Sequence, residues 1–319
     1  MELTETCRVS VKGKQKLLIA RTIHGKKVVV NGRFLKIASI RDEICDDMIA
    51  CPEKLVDEVR KLGRADIFTF EQKIPHTEPK FSYHWENDNL AVLKIESFEH
   101  WWNTQIGNDA RRMVRKAEKK GVVTRVVPMS DDLVTGIKGI YDETPVRQGK
   151  RFWHYKKDFN VVKAENSTFP ETSAFIGAYC GDELIGFDKL FCNGNRAAQI
   201  QLVSKIKDRD KAPTNALIAK AVEFCAERGI TYLVYGQFSY GNKGRDSLQD
   251  FKKRNGFEKM EFPRYYIPLT WKGTLALKCK LHKGLLDLLP SSAIDSLLAM
   301  RTRFQALRYR KTTPGAENA

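Results

Sequence analysis

The stretch from Thr231 to Thr270, TYLVYGQFSYGNKGRDSLQDFKKRNGFEKMEFPRYYIPLT, constrains this chain most. It opens on a β-rich run, Thr231–Tyr235, and passes through a loop crowded with glycine and polar groups. It then enters a helix that stops at Asn255-Gly256, and a second strand, Arg264–Leu269, follows. A helix delivered between two strands must bury its apolar stripe against a sheet, which makes the class α/β.

The same alternation runs along the rest of the chain. Lys27–Val30 and Arg33–Ile40 read as strands around Asn31-Gly32, a tight-hairpin signal. Pro52–Gly63 reads as a helix: proline suits its first turn, Leu55, Val59 and Leu62 share a face, and Gly63 ends it. Strands at Asp66–Phe70 and Leu90–Ile95 complete a small α/β unit. Asn108 is a favourable N-cap for a helix that Gly121 stops, and Val122–Val127 is a strand. Helices follow at Asp131–Tyr141 and Tyr155–Asn166. Strands at Ala174–Tyr179, Leu184–Cys192 and Ala197–Ile206 are joined by short glycine turns, and a long helix spans Thr214–Arg228. From Thr274 the leucines recur at helical spacing until Pro290. Ser292 with Asp295 resembles a capping box for a last helix with a basic end at Arg301–Lys311. Three regions are therefore expected: 1–128, 129–270 and a helical extension with a frayed tail, 271–319.

Composition narrows the partners. With 42% hydrophobic and 29% charged residues the chain is globular. It has no run of 18 apolar residues to span a membrane, and the N-terminus lacks an apolar signal core, so a cytoplasmic location is expected. The seven cysteines form no CxxC pair or Cys/His metal spacing, so no metal is expected. A net charge of +16 favours an anionic partner: nucleic acid, anionic lipid on the inner membrane face, or a polyphosphate cofactor.

FKKRNGFE resembles the helix ending that leads into the last strands of GNAT-superfamily acyltransferases. ARRMVRKAEKKGV, preceded by LAVLKIESFEHWW, is similar to the basic helix of the Fem-like branch, which includes peptidoglycan-bridge aminoacyltransferases. The resemblance covers roughly residues 25–270. It implies an α/β (α+β) fold of two GNAT-like lobes with mixed sheets, the first reduced, followed by the helical extension. It also implies transfer of an acyl group, with acyl-CoA as co-substrate, onto an amino group of a cell-envelope, small-molecule or lipid-linked saccharide precursor. Two alternatives stand beside it: a Fem-type aminoacyltransferase using aminoacyl-tRNA, and a non-catalytic nucleic-acid-binding module on the same scaffold. The chain departs from the coenzyme-binding pattern. Where that pattern has glycines that let amides approach a pyrophosphate, this chain reads KDRDKAPTNAL.

Acyl transfer needs groups that move protons and groups that stabilise an oxyanion. By the resemblance, the backbone of Gln199–Ile206 would serve the oxyanion and Tyr240 would be the general acid. Asp188, mid-strand in IGFDKLF, either points into a cleft as a catalytic carboxylate or pairs with a buried cation. Lys207, Arg209 and Lys211 lead into Thr214 and Asn215 at a helix start, which makes a donor-phosphate site. Arg147 and Trp153 form a basic, aromatic border for an acceptor pocket beside His154, and Gln237 and Lys243 are further substrate contacts. Arg112 and Arg115, on the basic face of the Asn108–Gly121 helix, are candidates for phosphate contact.

Overall fold

The computed structural model describes residues 5–11, 14–147, 149–240 and 247–283. The leucine-rich and basic helices expected beyond residue 283, and Lys243, lie outside the described residues. The chain divides into two compact units.

The first unit runs to Leu90 and takes up the chain again from Lys259. Its strands are β1 (Glu5–Val11), β2 (Lys14–Ile23), β3 (Lys26–Asn31) and β4 (Ile37–Ile40), followed by helix α1 (Pro52–Lys61), β5 (Ile67–Glu71) and the first part of β6 (Trp85–Lys94). β1 to β4 pair antiparallel in order, and β5 lies parallel to β4. Proline opens α1, and Leu55, Val56 and Val59 fall on one face because they are spaced by three and four residues. That face packs on Val28, Ala38, Ile40, Phe68 and Phe70. Each such side chain contributes about 1.5–3 kcal/mol when fully withdrawn from water.

The second unit spans Ala91–Glu258 among the described residues. It holds the end of β6, a short α2 (Phe98–His100) continued as a π turn, α3 (Asn108–Lys119), β7 (Val122–Val127) and α4 (Asp131–Tyr141). The two-residue strands β8 (Val146–Arg147) and β9 (Lys150–Arg151) lead to α5 (Phe159–Asn166), β10 (Ser173–Cys180), β11 (Glu183–Asn193) and β12 (Arg196–Ser204). α6 (Pro213–Glu227), β13 (Tyr232–Val234) and α7 (Ser247–Arg254) complete it. The strand order is β6-β13-β12-β11-β10-β7, with only β12 and β13 parallel. α3 and α6 pack on one face of this sheet, while α4 and α5 pack on the other. Gly256 closes α7 at φ +87, and a Cβ there would stand 3.2 Å from both the Gln105 carbonyl oxygen and the Trp101 indole nitrogen. The Asn-Gly stop is therefore required by packing as well as by backbone sterics.

The chain returns to the first unit as β14 (Glu258–Pro268), antiparallel to β5, and α8 (Trp271–Lys278). The mixed α/β class and the helical segment after the last strand match expectation. The unit boundaries differ from 128 and 270. α3 and β7 belong to the second unit because β7 hydrogen-bonds to β10. β14 and α8 belong to the first because β14 pairs with β5. Long-range strand pairing leaves no mark in a local pattern. Three local details differ as well. β3 and β4 are joined by residues 32–36 and not by a two-residue turn. Asn108 is the first residue of α3 and caps nothing with its side chain. α5 starts at Phe159, where the Asp158 side chain caps it. β1 and β2 were not anticipated.

Candidate functional site

β12 and β13 pair only through Arg196↔Tyr232, Ala197↔Leu233 and Ala198↔Val234. Beyond that they part. β12 bends at a bulge around Ile200, where the register on β11 slips between Lys189 and Leu190. β13 instead stays with β6: the Tyr235 amide donates to the Ala91 carbonyl at 2.9 Å, and the Ala91 amide donates to the Gly236 carbonyl at 2.8 Å. Gln199–Ser204 therefore has an edge that β13 does not cover, and its polar backbone borders an opening.

Asp188 lies next to this opening. Strand alternation sends Phe187 and Lys189 toward α4 and α5, and Asp188 toward α6. The carboxylate is fully buried and accepts from Gln199 Nε2 at 2.6 Å. No cation lies within ion-pair distance among the described residues. Burial pushes the carboxyl up to about 7, and the Gln199 bond pulls it only partly back. Asp188 Oδ1 and Gln199 Oε1 have no hydrogen-bond partner among the described residues.

Three more side chains gather here. The Tyr235 phenol is raised by burial and then by the charges of Asp188 and Tyr240. Lys252 of α7 is fully buried; its ammonium donates to the Gln237 carbonyl at 2.5 Å and lies 4.8 Å from the Tyr235 ring and 5.2 Å from that of Tyr240. Tyr240 is 41% exposed, and its hydroxyl sits over Gly236, where a Cβ would approach it to 3.1 Å. The fold thus brings Asp188, Gln237 and Tyr240 into one neighbourhood. Gln199, Tyr235 and Lys252 complete it and were missed. The available signal was a glutamine at an inward position of an otherwise apolar strand and a lysine on the packed side of a short helix.

The opposite face carries the residues expected at an acceptor pocket. Arg147 reaches the Ser204 carbonyl at 2.8 Å, the Ile140 carbonyl at 3.3 Å and the Glu143 carboxylate at 3.2 Å, with its guanidinium 4.6 Å from the Phe152 ring centre. It anchors backbone, and burial lowers its pKa. Trp153 is 48% exposed with its ring against His154. His154 stacks on the buried Tyr141 at 4.4 Å, and its Nε2 stands 3.5 Å from Gln201. Burial first, then Lys157 and Arg147, lower its imidazole to about 3. It is neutral at physiological pH, so its 3.9 Å approach to Glu165 is not an ion pair.

The loop after β12 is occupied from within. Lys207 pairs with Glu183 at 2.9 Å and Lys211 with Asp208 at 2.7 Å. The Thr214 hydroxyl bonds to that of Ser204 at 2.8 Å, and the Asn215 amide donates to the Asn255 side chain at 3.2 Å. Arg209 is exposed and has no partner among the described residues. On α3, Arg112 pairs with Asp109 at 3.2 Å, and Arg115 and Arg111 lie over the Trp102 ring at 5.7 and 5.9 Å. Among the described residues there is no cluster of metal-binding side chains, and no helix is long and apolar enough to cross a membrane.

No protein-family model matches the chain, and no curated sequence does. Solved structures are similar. The C-terminal DUF2156 domain of an Agrobacterium fabrum protein assigned as a lysylphosphatidylglycerol synthetase superposes with a TM-score of 0.54 at 13% identity, over 83% of this chain and 88% of that one. FemX gives 0.53 at 12% identity, over 86% and 90%. L-PGS from Bacillus licheniformis gives 0.52 at 14%, over 83% and 88%. Identities this low speak to fold alone, and on that ground the chain shares the fold of these structures.

Proposed function

We propose that this chain is an acyltransferase that works in the opening between β12 and β13 and passes an acyl group to an amino group. The observation that carries this is Asp188: a buried carboxyl beside unpaired strand backbone, without a cation, whose pKa near neutrality suits proton transfer at physiological pH. In the reaction the acceptor nitrogen attacks the acyl carbonyl and a C–N bond forms. Asp188 takes the proton from nitrogen. The bond from carbon to the donor's oxygen or sulfur breaks, and the Tyr240 hydroxyl protonates the leaving atom. Exposed amides of Gln199–Ser204 and the Gln199 side chain stabilise the oxyanion.

The donor we favour is an aminoacyl ester, with acyl-CoA as the alternative. The internally occupied loop after β12 supports this, as does the likeness in fold to a protein named for lysylphosphatidylglycerol synthesis. The acceptor would be a saccharide, envelope or lipid-linked precursor. The basic face of α3, with two arginines on Trp102, fits contact with a polyanionic donor such as tRNA or with anionic lipid.

The test is transfer of labelled acyl groups by the purified chain. Aminoacyl-tRNA and acyl-CoA serve as donors, and amino-sugar nucleotides and anionic lipid vesicles as acceptors. Transfer that drops by about 10²- to 10⁴-fold in Asp188→Asn supports the reading. No transfer from either donor, with RNA binding that falls steeply as salt rises, would replace it with the non-catalytic nucleic-acid-binding alternative.

A further inference from the structure

We infer that Glu143 is a built-in anion occupying the place on the β12–α6 loop that a donor phosphate would otherwise take, and that it selects against donors carrying a pyrophosphate arm. This rests on the acyltransferase reading, because it assigns a donor-discriminating residue to that site.

The geometry is that of a bound anion. Glu143 Oε2 accepts from the Ile206 amide at 2.6 Å and Oε1 from the Lys207 amide at 2.7 Å. Two successive backbone amides converging on one carboxylate form the concavity that phosphates use. The Glu143 side chain is 15% exposed, and Arg147 holds it while also gripping the Ser204 carbonyl at the end of β12. An incoming phosphate must therefore displace a charged, clamped side chain.

The rest of the loop agrees. Asp208 is buried and pairs with Lys211, so that lysine is already engaged and not open to an incoming anion. Lys205 and Lys207 pair with Glu183, and Lys211 pairs with Asp208, so three of the four cations of this loop are engaged from within although the chain as a whole is strongly basic. Pro213 opens α6 and removes an amide from the helix start. Ala212 stands at φ +53, a conformation that favours glycine.

Calorimetric titration with coenzyme A and with inorganic pyrophosphate tests the inference on the full chain. The wild type should show no binding at millimolar ligand. Glu143→Ala frees both amides and should bind both ligands at least about tenfold more tightly, with an affinity that weakens as salt rises. Glu143→Gln keeps the shape without the charge and answers the same question if the alanine variant does not fold; it should gain less, by several-fold. Micromolar coenzyme A binding by the wild type would overturn the proposal. So would a folded variant, checked by circular dichroism, that gains nothing: Glu143 would then be a loop staple. Aminoacyl transfer measured on the same preparations separates the two claims. A chain that transfers nothing but gains coenzyme A binding in Glu143→Ala keeps this inference and loses the function.

Discussion

Asp188 is held without a cation, so its ionisation opposes folding while it suits catalysis. The folded chain keeps this proton up to about pH 7, whereas an unfolded aspartate releases it near 3.8. Stability contributed by the protonated form is therefore present at low pH and is lost as pH rises from about 4 to about 7. Asp188→Asn removes that dependence. It should melt above the wild type at pH 8 and level with it near pH 4, while turnover falls about 10²- to 10⁴-fold. A lower melting temperature at pH 8 would mean that the carboxylate is held by a partner worth more than its desolvation. Tyr240→Phe keeps the ring beside the Lys252 ammonium and should reduce turnover with little change in melting temperature. His154 titrates in the opposite sense. Its pKa is depressed from 6.5 to about 3, so the stability it contributes is present above pH 6.5 and lost as pH falls toward 3. His154→Gln should lose less stability than the wild type over that window, measured by denaturant midpoints at pH 7 and pH 4.

At the scale of elements, the loop between β12 and α6 shows how ion pairs with similar distances differ in weight. Lys207 and Lys211 make pairs at 2.9 and 2.7 Å, but the Glu183 side chain is 49% exposed and that of Asp208 only 6%. Removing Lys207 leaves Glu183 in water and still paired with Lys205. Removing Lys211 strands a buried carboxylate. Lys211→Ala should therefore lower the melting temperature by several degrees and Lys207→Ala hardly at all; equal losses would show that Asp208 finds another partner. The same contrast explains why this loop read as an anion site in the sequence. Three cations before a helix are visible in one dimension, but Glu183, which pairs with Lys207, comes from β11, and Glu143, which takes the Ile206 and Lys207 amides, comes from beyond α4.

At the scale of the whole chain, the first unit is tied to its returning segment by Arg264. From β14 it reaches Glu43 at 3.0 Å, Glu71 at 2.9 Å and Asp88 at 2.8 Å, and Lys73 pairs with Glu71 at 2.5 Å. These carboxylates span the unit in sequence. Burial raises the Glu43 carboxyl, with the Arg264 charge opposing it. Arg264→Met should cost about 3–5 kcal/mol, because three part-buried carboxylates would share only Lys73. Hydrogen exchange of the β5 and β14 amides reads the loss, and unchanged protection there would show that the strands hold without the cluster. The sequence by itself determined the elements whose causes are local: α1 with its proline start and apolar face, α6 with its stripe, the turns at Gly181 and Gly194, and the stop at Gly256. It also marked Asp188, because a carboxylate amid apolar strand residues stands out in one dimension, whereas Tyr240 was singled out through the family resemblance. Only the tertiary structure decided the unit boundaries, the parting of β12 from β13, and the partners Gln199, Tyr235, Lys252 and Glu143. Those depend on which distant strands exchange hydrogen bonds and on which side chains the packing then buries together, and neither leaves a periodic trace along the chain.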